Sequence, residues 1–245
     1  MNTLKTIFLS AGLFAALQTS EAFAQLASPV TPAFEGPATT AEFTGPGDVP
    51  AQIIPLSPKN GRVDGKPVGL IELDIYEKSD EPCAIRAEYA ALDKTFANKV
   101  FNWESPDSGC LQHNASRRIG LDAYTAPNPD IENAYFISSV GTCTNGKNND
   151  RRLLVKGLSG NATVIDANGE NVATSTPLET QVQPNCKADK FTFSTCPSGQ
   201  IAMGINVRAL PIGNKMSITG LQLKCKAVTG RIARRDGFKG GGKGN

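Results

Sequence analysis

The sequence predicts an all-β fold: repetitive antiparallel sheets stapled by disulfides, forming a sandwich, barrel or prism with at most one short helix. Three observations carry this. The first is strict apolar–polar alternation, the mark of strands with one buried face. Ile71, Leu73 and Ile75 alternate with Glu72, Asp74 and Tyr76. Ile201, Met203, Ile205 and Val207 alternate with Ala202, Gly204, Asn206 and Arg208, and Leu221 and Leu223 with Gln222 and Lys224. The second is turn chemistry between the runs: Asn145-Gly146, Ser159-Gly160-Asn161, Asn168-Gly169, Pro197-Ser198-Gly199 and the stretch from Pro211 to Asn214. The third is a cysteine-framed block that occurs twice, from Cys110 to Cys143 and from Cys196 to Cys225. In each, a strand glycine (Gly120, Gly204) precedes a loop and a strand that ends in the second cysteine.

Taken in order along the chain, residues 1–24 read as a signal peptide. Lys5 gives a positive start, Thr6 to Leu17 is an apolar run, and Ala22-Phe23-Ala24 is a small-x-small cleavage site. That run is shorter than the roughly 20 residues a membrane span needs, so no membrane span is expected. Residues 25–60 hold seven prolines among Thr, Ala and Gly. They read as an extended linker, too poor in apolar area to offset its ordering entropy. Residues 61–228 are one β-domain, and 229–245 a basic, Gly-rich tail. Tyr89, Leu92, Phe96 and Val100 have the spacing of the one short helix allowed.

Lys and Arg number 25 against 23 Asp and Glu, a formal net charge of +2. That balance argues against a nucleic-acid partner. The basic tail leaves open attraction to an anionic envelope polymer.

The six cysteines, Cys83, Cys110, Cys143, Cys186, Cys196 and Cys225, read as disulfides in an exported protein. The repeat favours Cys110–Cys143 and Cys196–Cys225, leaving Cys83 for Cys186, although other pairings stay open. Cys225 shares parity with Leu221 and Leu223, and Cys143 with Ile137 and Tyr135. Both sulfurs are therefore expected to point into the core. No C-x2-C spacing suggests a metal or redox site, and no cofactor or metal is expected.

The block from Cys196 to Cys225 resembles the repeat unit of the vitelline membrane outer layer protein 1 family. Its units run Cys-Pro-x-Gly, Ala-x-Gly and Gly-x-x-Leu-x-Cys, matched here by Cys196, Pro197 and Gly199, by Ala202 and Gly204, and by Gly220, Leu223 and Cys225. Phe191 and Phe193 stand where that family carries tryptophans. The resemblance implies a β-prism-like fold in a secreted protein.

For function, His113 is the only histidine, set in a polar loop, so no His-based metal centre is available. Gly157-Leu-Ser-Gly160 lacks the spacing of a nucleophile elbow. Asp166 to Glu170 opens like a calcium loop, but Pro177 occupies the position of the bidentate glutamate. No catalytic residue is nominated. Trp103, Tyr124 and Tyr135 lie near polar stretches and are the candidate ligand-binding residues: aromatic faces stack on sugar rings while amides and carboxylates bind hydroxyls. The chain reads as a secreted (extracellular or periplasmic) binding domain for glycan or an extracellular or envelope matrix. The alternatives are a secreted polysaccharide-acting hydrolase, built on a carboxylate pair such as the many Asp and Glu residues could supply, and a purely structural coat component.

Overall fold

Strand propensity and period-two patterning produce three long hairpins, and each hairpin organises one antiparallel sheet. The computed structural model describes residues 33–45, 51–93, 99–107, 109–120, 134–145, 154–165, 171–178, 181–182, 186 and 190–229. The first sheet joins β1 (Ala33–Thr40), β14 (Lys215–Thr229), β13 (Gln200–Ile212) and β2 (Gln52–Leu56), in that order. The second runs β10 (Asn171–Pro177), β9 (Leu154–Ile165), β8 (Ala134–Asn145) and β12 (Phe191–Thr195), with β11 (Gln181–Val182) also on β9. The third runs β3 (Arg62–Val63), β4 (Lys66–Lys78), β5 (Glu81–Ala91) and β6 (Lys99–Glu104), with β7 (Arg117–Gly120) also on β4. Each sheet touches the other two, so together they form the sides of a three-sided prism.

The hairpins β4–β5, β8–β9 and β13–β14 are three copies of one backbone design. Each first strand carries a bulge with one unpaired residue: Ile71, Ser138 and Met203. Five residues further on, at Tyr76, Cys143 and Arg208, each hairpin reaches a second irregularity. There the second strand holds the extra residue: Cys83, Lys156 and Thr219. A third strand then pairs with each first strand at equivalent positions: β7, β12 and β2. The internal repeat is therefore threefold. Gly120, which the sequence aligns with Gly204, instead sits on the outer strand β7 opposite Glu72.

A bulge inserts one residue and turns the following side chains to the other face. This fixes where the core lies. Leu70, Ile137 and Ala202 face the central core before the bulge; Leu73, Val140 and Ile205 face it after. The central cluster draws on all three sheets and includes Tyr89, Ile119, Leu158, Leu221 and Leu223. A separate apolar cluster of Ile71, Ala90, Leu92, Phe136, Ile201 and Val228 packs where the hairpins begin. Gly69, Phe136 and Ile201 occupy the same register in the three hairpins and converge: a Cβ added to Gly69 would lie 2.3 Å from Phe136 Cδ1 and 2.9 Å from Ile201 Cδ1. The buried Tyr89 hydroxyl, its ionisation pushed far up by burial, donates to the Leu56 carbonyl and ties two sheets together.

The disulfides are Cys83–Cys110, Cys143–Cys186 and Cys196–Cys225. The first two each staple a strand of one sheet to a residue in a loop, while Cys196–Cys225 ties the end of β12 in the second sheet to β14 in the first. The expected Cys110–Cys143 and Cys83–Cys186 pairs are corrected, because Cys110 and Cys143 belong to different copies of the repeat. Cys225 joins the central core as expected, and its partner Cys196 lies there too. Cys143 does not: the bulge at Ser138 reverses its parity relative to Ile137, so it faces outward and bonds Cys186, both cysteines buried.

Three more expectations change. Ala33–Thr40 and Gln52–Leu56, in the stretch read as linker, are strands β1 and β2, held by β14 and β13. Backbone pairing orders them despite their modest apolar content. Tyr89 and Val100, read as one helical face, lie on the paired strands β5 and β6; among the described residues there is no α-helix. Ser159-Gly160-Asn161, expected as a turn, is the middle of β9.

Candidate functional site

The three faces of the prism have the same backbone and different chemistry. On the β8–β9 face the bulge at Ser138 opens the ladder, and its carbonyl accepts the Cys196 N–H at 2.8 Å. This carries the chain from β12 across the bulge into the Pro197–Gly199 turn, where Gly199 takes φ +78°, a conformation glycine adopts without strain. Gln200 N–H closes that turn on the Pro197 carbonyl at 3.1 Å. Between turn and sheet lies a pocket of about 510 Å³, lined by Ser138, Ser139, Asn161, Thr163, Phe193, Thr195 and the 196–200 segment. Small-molecule sites commonly span about 300–1,000 Å³.

The side chains of this pocket are positioned from beneath. Phe193 pairs with Gly141 across the ladder. A Cβ on Gly141 would come within 2.4 Å of the Phe193 ring, so the glycine lets the ring lie against the sheet. Phe193 is 48% exposed and stands 6.2 Å from Phe191, centroid to centroid. Ser139 and Thr195 share a hydroxyl hydrogen bond of 2.8 Å, and Ser138 Oγ donates to the Asn161 carbonyl at 3.4 Å. Thr39 Oγ1 donates to Gln200 Oε1 at 2.6 Å. The inward residue of β12, Ser194, is buried and accepts the Leu223 N–H at 2.9 Å, which anchors the strand that presents Phe193 and Thr195. Among the described residues the lining contains no charged side chain.

The β4–β5 face is ionic. Glu72, Asp74 and Glu88 are buried, with carboxylate oxygens within 4.8 Å of one another. Arg86 reaches all three, at 3.4, 2.5 and 3.2 Å, and Arg118 reaches Asp74 at 2.7 Å and Glu72 at 3.3 Å. The two guanidiniums occupy the place a cation would take, so the cluster fits an internal ion-pair network better than a metal site. It also fails as a hydrolytic pair, because its carboxylates are closed under arginines rather than set across a cleft. Burial, then the neighbouring Asp74 and Glu88, raise the Glu72 carboxyl above its usual range, and the arginines offset part of this. At the seam between the second and third sheets, buried Arg117 pairs with Glu77 and donates to the Val155 carbonyl at 3.2 Å. Lys156 donates to the Asp80 carbonyl and lies 3.7 Å from Glu77.

Of the residues singled out from sequence, Trp103 is on β6 opposite Ile85, and Tyr135 is on β8 opposite Val164. Both are partly buried and pack against the central core, on different sheets and outside the pocket lining. Tyr124 lies outside the described residues. The pocket residues Ser138, Ser139 and Thr195 carried no signal in the sequence. Asn161 and Thr163 belong to the sequon Asn161-Ala162-Thr163, and Phe193 was visible only as a substitute for a family tryptophan.

No family model matches the chain, and no curated protein matches it. Among solved structures it is similar to artocarpin, described as a lectin with mannose specificity, at 10% identity and a TM-score of 0.43, covering 78% of this chain and 99% of that one. It is similar also to the Calsepa lectin in complex with a biantennary N-glycan, at 10% identity and a TM-score of 0.41, covering 80% and 99%. A third is the V. cholerae biofilm matrix protein Bap1, at 13% identity and a TM-score of 0.38, covering 82% of this chain and 25% of Bap1. Superpositions at this level assign neither family nor activity.

Proposed function

We propose that this protein is a secreted glycan-binding domain whose ligand occupies the pocket between Phe193 and the Pro197–Gly199 turn. The observation that carries the reading is the combination of an exposed aromatic face with an uncharged, hydroxyl- and amide-rich lining. A sugar ring presents an apolar face that stacks on an aromatic ring, and hydroxyls that exchange hydrogen bonds with Ser, Thr, Asn and Gln. The rigid ladder beneath the pocket limits the ordering cost of binding. Three disulfides fit an oxidising extracellular or periplasmic compartment, in keeping with the signal-like N-terminus.

The test is a glycan array followed by titration calorimetry of the best ligand. Stacking of a ring on an aromatic side chain is worth about 1–3 kcal/mol in nucleic-acid sites, taken here as the analogue for sugars. Phe193→Ala should then weaken binding roughly 5- to 150-fold, with the denaturation midpoint close to the parent's, since the ring is half exposed. Equal affinity of parent and variant would move the site away from this pocket.

A further inference from the structure

The threefold repeat places an equivalent outward cradle on each face, just after the bulge. Reading second strand, first strand and outer residue, the three rows are Glu88–Glu72–Gly120, Lys224–Gly204 with Ser57 (just after β2) over it, and Asn161–Ser139–Thr195. The chain fills two of them itself. In the first, the Glu72 carboxylate stands over Gly120, where an added Cβ would come within 2.7 Å of Oε2, and Arg86 and Arg118 hold it there. In the second, Ser57 covers Gly204, at 2.3 Å from an added Cβ. Its hydroxyl is satisfied by the Ile205 N–H at 3.0 Å and the Ile205 carbonyl at 3.2 Å. In the third, the space above the row forms the pocket.

We infer that the open cradle makes the chain a monovalent receptor for uncharged glycans, excluding uronic, sulfated or sialylated residues from the pocket. This rests on the glycan-binding reading and goes beyond it in ligand class and number of sites. Chemical exclusion follows from the lining. A carboxylate or sulfate seated among Ser138, Ser139, Asn161, Thr195 and Ser198 would lose water without gaining a counter-charge, and desolvating an unpaired charge is strongly unfavourable. The charged groups at this register belong to the other two faces, where the ion pairs and Ser57 leave no room. Recognition of an uncharged ring should also be nearly indifferent to ionic strength, which weakens contacts between exposed charges.

The experiment compares the full mature chain with Phe193→Ala on immobilised uncharged oligosaccharides and on acidic polymers such as polyuronates, in about 0.05 and 0.5 M salt. Ligands whose binding falls tenfold or more in Phe193→Ala are those in the pocket. They should be uncharged, change affinity less than about twofold between the two salt concentrations, and titrate at one per chain. Acidic polymers held equally by parent and variant bind elsewhere, the basic tail included, and agree with the inference. If the Phe193-dependent ligands are acidic, or bind at two or three per chain, the inference is overturned while the glycan-binding reading stands. If the folded protein retains no glycan of either class, the glycan-binding reading itself falls and takes the inference with it.

Discussion

At Glu72 the sequence pattern and the physics part company. Alternation with Leu73 and Ile75 marks it as an outward, solvated residue, yet it is 6% exposed, crowded by Asp74 and Glu88 and covered by Arg118. Its carboxyl is harder to ionise in the folded protein than in the unfolded chain. A group whose folded value is raised contributes stability that is complete below its unfolded value of about 4.3 and lost as pH rises through the folded value. Glu72→Gln removes this dependence. Urea midpoints at pH 4 and pH 7 should therefore show the parent losing ground to Glu72→Gln as the pH increases. A midpoint difference that is the same at both pH values would mean the arginines cancel the burial cost. Asp74, which is fully buried and bonded to both guanidiniums, is a different case. Removing it takes away the shortest contact of each guanidinium, but both keep Glu72 and Arg86 keeps Glu88. The loss should therefore fall below about 3–5 kcal/mol, the cost typical of leaving a buried charge unpaired.

The strand pairs show which parts of the fold the sequence reveals. The hairpin β13–β14 is plain in β14, where Leu221, Leu223 and Cys225 keep one parity after a turn at Gly213–Asn214, while the bulge at Met203 puts Ala202 with Ile205 on the core face of β13. The hairpin β8–β9 is half visible, because the bulge at Ser138 shifts every later side chain by one face and no residue type announces a bulge there. Parity counted across it points Cys143 into the core, where the bulge turns it outward. The hairpin β4–β5 was hidden as a repeat, since its outward residues are acids and arginines where the other copies carry Ser, Gly or Asn. The pocket was illegible for a related reason, as it is formed by backbone displacement and a turn packed over it. Cys143–Cys186 closes 43 residues of separation and Cys83–Cys110 closes 27, for which the chain-entropy model gives about 4 kcal/mol for each. Each pair replaced by serines should lower stability by an amount of that order. Peptide mapping without reductant should recover Cys83 linked to Cys110, and a Cys110–Cys143 peptide would contradict the repeat alignment.

Across the whole molecule, approximate threefold symmetry creates a packing problem that the sequence solves by breaking the symmetry. Three equivalent side chains converge where the hairpins begin, and three large ones would not fit. The chain uses Gly69, Phe136 and Ile201, with Phe136 filling the space Gly69 leaves open. This makes the volumes interdependent. Gly69→Ala pushes a methyl group into the Phe136 ring, and overpacking of this kind costs about 1–3 kcal/mol. Phe136→Leu removes ring atoms from a fully buried site and leaves part of a cavity, which is also destabilising. Because the two residues share one space, the effects should not add: the shorter side chain makes room for the new methyl, and the methyl fills part of the new void. The double variant should be more stable than the sum of the single losses by at least about 0.5 kcal/mol, the coupling expected of contacting residues. Denaturant unfolding of the parent, both single variants and the double variant measures this directly. Strict additivity would mean that the hairpins do not converge at this point, and the threefold register that defines the open cradle beside Phe193 would lose its main support.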